Sequence, residues 1–133
     1  MKVLVVSDGT PDSESALAYG LAKARETSGQ LIALHVHQHY FPRDDAGRSS
    51  SHQALQDSRR RYESIRTWIH NHGCGVSANA DFSIIDDYSD ILRYASDAEI
   101  DLIVSPPAFV EMFDKARCLV DIVSAEDEQM VNS

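Results

Sequence analysis

The stretch Lys2-Val3-Leu4-Val5-Val6-Ser7-Asp8-Gly9-Thr10-Pro11 opens the chain and decides its architecture. The unbroken apolar character of Val3 to Val6 predicts a parallel strand buried on both faces. The turn after it carries an acid, a glycine and a hydroxyl. In open α/β sheets ligands bind in the crevice beyond the carboxyl ends of the strands, so Asp8, Gly9 and Thr10 mark a candidate site.

Working outward, a helix is predicted from Thr10, with Pro11 at the first helical position, where a missing N–H costs nothing. Asp12 and Glu14 then sit near the positive end of the helix dipole. Ala16, Leu17, Leu21 and Ala24 share one face. Ser28-Gly29 ends the helix, with Gly29 supplying the turn into an apolar second strand, Gln30 to His37. Residues 39–51 combine Pro42, Gly47, serines and charges and read as a surface loop. From about Ser51 to His72 the residues Leu55, Ser58, Tyr62, Ile65 and Ile69 recur at helical steps with Trp68 beside them, and Gly73 closes the helix. A third strand is read over Gly75 to Ile85. A short helix follows over Asp87 to Ala98, with Ile91, Leu92, Tyr94 and Ala95 inward, then a buried strand over Asp101 to Ser105. Pro106-Pro107 leads into a helical pattern that places Phe109, Met112, Phe113 and Ala116 on one face. Only Pro106 to Arg117 separates Ser105 from the last apolar run, Cys118 to Val123, close to the minimum of about 10 to 12 residues for a helical crossover.

The alternation of strand and helix patterns predicts a parallel sheet with helices on its faces. The chain has 133 residues, the size of one domain that buries its own core. We expect a single domain over residues 1–124 and an acidic tail over 125–133. The chain carries 21 acidic and 12 basic residues, a formal net charge of −9, with a pI near 4.9. That balance argues against nucleic acid and anionic membranes as partners. Arg59, Arg60, Arg61 and Arg66 form the basic cluster, flanked by Asp57 and Glu63, and read as a solvated helix face. Cys74 and Cys118 form no CxxC pattern, and no N-terminal apolar stretch reaches signal-peptide or spanning length, so a cytoplasmic location is the expectation.

The motifs resemble those of the universal stress protein (UspA-like) family. Asp8-Gly9-Thr10, then Ser13, then Ala16-Leu17 is similar to the family's D-G-S, S and A-L at the same spacing. Gly29 followed by Leu31-Ile32-Ala33-Leu34-His35-Val36 is similar to its second strand, which ends L-H-V. Ile91 to Val104, with I-L-x-x-A and D-L-I-V, resembles its third helix and fourth strand, and Ala116 to Val123 looks like a diverged form of its closing A-P-C-P-V-L-V-V. The resemblance implies a Rossmann-like, adenine nucleotide alpha hydrolase-like α/β fold: a five-stranded parallel sheet of order 3-2-1-4-5 with helices on both faces. It also implies a homodimer, commonly through the last strand, although Asp121 there is the kind of edge charge that discourages strand pairing. In nucleotide-binding members, Asp8, Thr10 and Val36 would lie on the adenosine side of the ligand. Those members hold phosphates with a loop after strand four, G-x2-G-x9-G-[ST], whose backbone wraps the anion. Ser105-Pro106-Pro107-Ala108 stands there instead, with no glycine and with two residues lacking an N–H.

Three functional readings follow. The first is a regulatory, stress-response module that does not bind ATP and is not an enzyme. The second is an adenine-nucleotide binder or weak nucleotide hydrolase that keeps the adenosine half of the site, with phosphates held by Thr10 and the first helix N-terminus. The third is metal binding through His35, His37 and His39, which alternate along a strand and so share a face. Against the third stands a simpler reading, a histidine satisfied beneath the helices that cover the sheet. His70, His72 and Cys74 form a looser trio, read as helix-terminal histidines. Asp86, Asp87 and Asp90 near the carboxyl end of the third strand, with Asp8 near that of the first, raise acid/base catalysis as a reading, against which stands helix N-capping by Asp86 or Asp87. Ser13 and Ser15 have no partnered histidine at a recognisable spacing and no G-x-S-x-G elbow, which argues against a hydrolase triad. Phe109, Met112 and Phe113 are read as core packing, with a contact patch as the alternative.

Overall fold

The computed structural model describes residues 1–8, 10–38, 45–73, 75–85, 89–107, 109, 116 and 118–125, and of residues 38 and 45–52 the backbone alone. In chain order the elements are β1 (Lys2–Ser7), α1 (Pro11–Glu26), β2 (Gln30–Gln38), α2 (Asp45–His72), β3 (Ser77–Ile85), α3 (Ser89–Asp97), β4 (Leu102–Ser105) and β5 (Leu119–Ile122). The strands form one five-stranded sheet of order β3-β2-β1-β4-β5. Every pairing is parallel, with Val3 beside both Leu31 and Leu102. This is the predicted α/β arrangement.

Because side chains alternate across a strand, β1 feeds two cores at once. Val3 and Val5 pack with Ala16, Leu17, Leu21 and Ala24 of α1 and Ile69 of α2. Leu4 and Val6 pack on the opposite face with Leu34, Val36, Ile91, Ala95, Ile103 and Phe109. All four β1 residues are fully buried, each worth about 1.5–3 kcal/mol relative to an exposed side chain. Gly20 lets α1 seat against this strand, since a Cβ there would overlap Val5 Cγ2.

The end of α1 corrects the expectation for Gly29. Ser28 is the residue in the left-handed region, φ 52, while its N–H bonds to the Arg25 carbonyl and the Gly29 N–H to the Ala24 carbonyl, a Schellman closure. Gly29 is required for closeness instead: a Cβ there would strike the Met1 carbonyl. The same closure ends α3, with Glu99 at φ 56 and the Ile100 N–H bonded to the Ala95 carbonyl.

The second correction concerns the predicted loop over 39–51, of which 45–51 are helical, because α2 begins at Asp45 rather than Ser51. Serine and glycine cost a helix interior only about 0.5–1 kcal/mol each. Once the apolar stripe downstream has nucleated the helix, each added residue gains a hydrogen bond, and the helix extends back through them. That stripe packs as read: Ser58 and Ile69 are buried, and Leu55, Tyr62 and Ile65 are partly covered. The predicted helix over 109–116 lies outside the described residues except Phe109, which is buried, and Ala116. Residues 126–133 of the expected tail lie outside them as well. Asp121 on β5 accepts a hydrogen bond from the Tyr19 hydroxyl of α1 at 2.8 Å. Burial and the Asp121 charge together push the Tyr19 phenol up to about 12. Among the described residues, no helix is long and apolar enough to cross a membrane.

Candidate functional site

The turn after β1 is organised by the Asp8 carboxylate. Its Oδ1 accepts from the Thr10 backbone N–H at 3.0 Å, the Thr10 hydroxyl at 2.7 Å and the Ser13 hydroxyl at 2.6 Å. The Asp8 N–H in turn donates to Ser13 Oγ at 3.0 Å. Burial alone would raise the Asp8 pKa, but the hydrogen bonds from Ser13 and Thr10 outweigh it and hold the carboxyl below its ordinary value. Thr10 is the N-cap residue of α1 by backbone geometry, yet its hydroxyl makes no cap bond and serves Asp8 instead. Pro11 has no N–H to offer, and the N–H groups of Ser13 and Glu14 both bond to the Thr10 carbonyl. Most donors of this helix start are therefore already used.

Val36 is 6% exposed and belongs to the core on the α3 side of the sheet. Thr10 and Ser13 instead border a cavity of about 380 Å³ on the other side, between α1 and α2. Beyond β4, where a glycine loop would be needed to wrap phosphates, Pro106 is fully buried. The Ser105 hydroxyl bonds to the Pro106 carbonyl at 2.9 Å, and the Phe109 N–H bonds to that same carbonyl at 3.3 Å. The Ser105 carbonyl is taken by the Val123 N–H, 2.9 Å away. These groups are turned on one another.

His35 is fully buried. Its Nδ1 lies 3.3 Å from Ser7 Oγ and its Nε2 2.9 Å from Ser58 Oγ, so the ring joins β1, β2 and α2. A neutral imidazole donates through one nitrogen and accepts at the other, and a hydroxyl serves either role. Phe82 stacks on it with centroids 5.9 Å apart. Burial, then the Arg61 charge, lowers the His35 pKa to about 4, with Asp8 opposing and His37 reinforcing the shift. Both ring nitrogens face hydroxyls, and no carboxylate orients the ring as a nucleophilic triad requires. His37 is half-buried two residues on, and His39 lies outside the described residues. Among the described residues no group of three or more potential ligands is placed to hold a metal.

Cys74, Asp86, Asp87, Met112 and Phe113 also lie outside the described residues. The His72 ring lies against Trp68, 4.4 Å between centroids, with Nδ1 2.9 Å from the Trp68 carbonyl, consistent with a helix-terminal role. Cys118 is a thiol whose pKa burial pushes up. Sequence reasoning missed Ser58 as the partner of His35. The available signal was a serine standing in an otherwise apolar helical stripe. It also passed over Glu14, Arg61 and Trp68, which border the cavity. No repeat or motif links them, so nothing in the sequence flags them as neighbours.

Solved structures share this fold. A universal stress protein family member from Burkholderia pseudomallei superposes with a TM-score of 0.77 at 20% identity, covering 93% of this chain and 96% of its own. Universal stress protein UspA from Lactobacillus plantarum gives 0.75 at 18% identity, covering 92% and 97%. The universal stress protein from Archaeoglobus fulgidus in complex with dAMP gives 0.71 at 15%, covering 93% and 98%. No curated protein matches the sequence. The model of the universal stress protein family matches residues 1–106, and with the 3-2-1-4-5 parallel sheet this shows that the chain belongs to the universal stress protein family.

Proposed function

We propose that this chain is a regulatory, stress-response module that works without a bound nucleoside triphosphate. The observation that carries the reading is the turn after β4. A triphosphate needs several free backbone N–H groups and a chain able to wrap it. Pro106 and Pro107 supply none, Pro106 is locked into the core, and the Ser105 hydroxyl is spent on the neighbouring carbonyl. The formal net charge of −9 adds repulsion.

One observation favours a second reading, retention of adenosine or AMP. All three side-chain bonds at Asp8 fall on Oδ1, and Asp8 is half-buried, which leaves Oδ2 for a ribose hydroxyl. The Archaeoglobus fulgidus protein of the same fold was crystallised with dAMP. Against it, Val36 is covered by the core and the helix start has few donors left for a phosphate. Calorimetric titration of the full chain with ATP, AMP and adenosine separates the readings. Absence of heat with all three is expected. AMP or adenosine binding without ATP moves the conclusion to the second reading, and tight ATP binding overturns both. A homodimer through β5 belongs to the same proposal. β5 ends the sheet, Leu119 on it is 68% exposed, and the Tyr19 hydroxyl engages Asp121. Light scattering that finds a monomer at micromolar concentration removes it.

A further inference from the structure

We propose that the cavity between α1 and α2 binds a small zwitterion, a free α-amino acid with an apolar side chain. The cavity measures about 380 Å³, within the range of small-molecule sites and roomy for one amino acid. Its two long walls carry opposite charges, Glu14 from α1 and Arg61 from α2. Among the described residues these two make no ion pair with each other or with any other group, whereas the neighbouring Arg60 and Arg66 are paired within their own helix to Asp57 and Glu63. A cation and an anion held apart across a cavity match a ligand that carries both charges.

The hydroxyls sharpen the assignment. Thr10 and Ser13 donate their hydroxyl protons to Asp8, and Ser64 donates its own to the Arg60 carbonyl. Thr10 Oγ1 and Ser64 Oγ are therefore left as acceptors at the cavity, whereas Ser13 Oγ already accepts from the Asp8 N–H. Glu14 and Thr10 form an acceptor wall on the α1 side that suits an ammonium group and repels a phosphate. Arg61 supplies the donors for a carboxylate. Leu17, Ile65 and Trp68 give an apolar end for the side chain. Val36 is on the opposite face of the sheet, and of the adenosine-side residues only Thr10 also borders this cavity, so adenosine titrated alongside the amino acids distinguishes the two sites.

Trp68 is the only tryptophan in the chain and lines the cavity, so its fluorescence reports occupancy directly. The full chain is titrated with L-phenylalanine and L-leucine, and with phenethylamine and 3-phenylpropionate, which each keep one charge. Saturable change is expected for both amino acids, with each single-charge analogue weaker by about tenfold or more. Arg61→Gln weakens phenylalanine by about tenfold and leaves phenethylamine unchanged. Glu14→Gln weakens phenylalanine and leaves 3-phenylpropionate unchanged. Both positions are exposed, and unchanged thermal midpoints verify that the variants fold. No saturable change up to about 10 mM amino acid, equal affinity for a single-charge analogue, or insensitivity to both substitutions overturns the proposal.

Discussion

Acidification is predicted to loosen this fold through His35 before Asp8 responds. The ring is fully buried between two hydroxyls, and its pKa falls from an ordinary 6.5 to about 4. Since the folded value lies below the unfolded one, the unfolded chain takes up the proton first. Stability from this group is therefore complete above the unfolded pKa and is lost as pH drops from 6.5 toward 4, then levels off. Protonation would give the ring a second obligatory donor beneath the Arg61 charge. The two pKa values put the loss at about 2 kcal/mol between pH 7 and pH 5 and at about 3 kcal/mol in full. Asp8 acts in a different window, since its lowered pKa removes stability only below the ordinary carboxylate value of 3.8. Urea unfolding at several pH values between 7 and 4.5, on the wild type and on His35→Asn, isolates the effect. The variant keeps polar atoms that can bond the serines but does not titrate, so it starts less stable and loses the His35 share of the slope. Parallel pH profiles for the two proteins would refute the reasoning.

Two backbone predictions follow from the helix geometry. Gly20→Ala places a methyl group against Val5 Cγ2. We expect overpacking of about 1–3 kcal/mol to outweigh the helix-propensity gain of about 1 kcal/mol, and an unchanged or higher urea midpoint would contradict the close seating of α1 on β1. Glu99→Gly relieves a left-handed residue at the α3 closure. It should raise stability by about 1 kcal/mol, read as a higher thermal midpoint, and a lower one would mean that the glutamate makes a compensating contact.

Much of the architecture was legible because local chemistry and global burial agree along this chain. Val3 to Val6 are apolar without interruption because strand β1 is central and covered on both faces. Pro11 stands where a helix start needs no donor, and Leu17, Leu21 and Ala24 recur at the helical period because one face of α1 meets the sheet. The starting point of α2 was not legible, since serine and glycine are weak penalties that a well-anchored helix overrides. Ser28 in the left-handed region was not legible either, because the closure depends on the close approach of Met1 and Gly29 from separate segments.

The sequence by itself determined the strand and helix alternation, the family, and two prolines with no glycine directly after the fourth strand. Those properties are written in periodicity and in the backbone chemistry of single residues. Only the tertiary structure decided which polar groups meet. His35 finds Ser58 across 23 positions, and Tyr19 finds Asp121 across 102. Glu14 and Arg61, 47 positions apart in the sequence, come to border one cavity. Such meetings arise from helix packing and strand order, which no local pattern encodes.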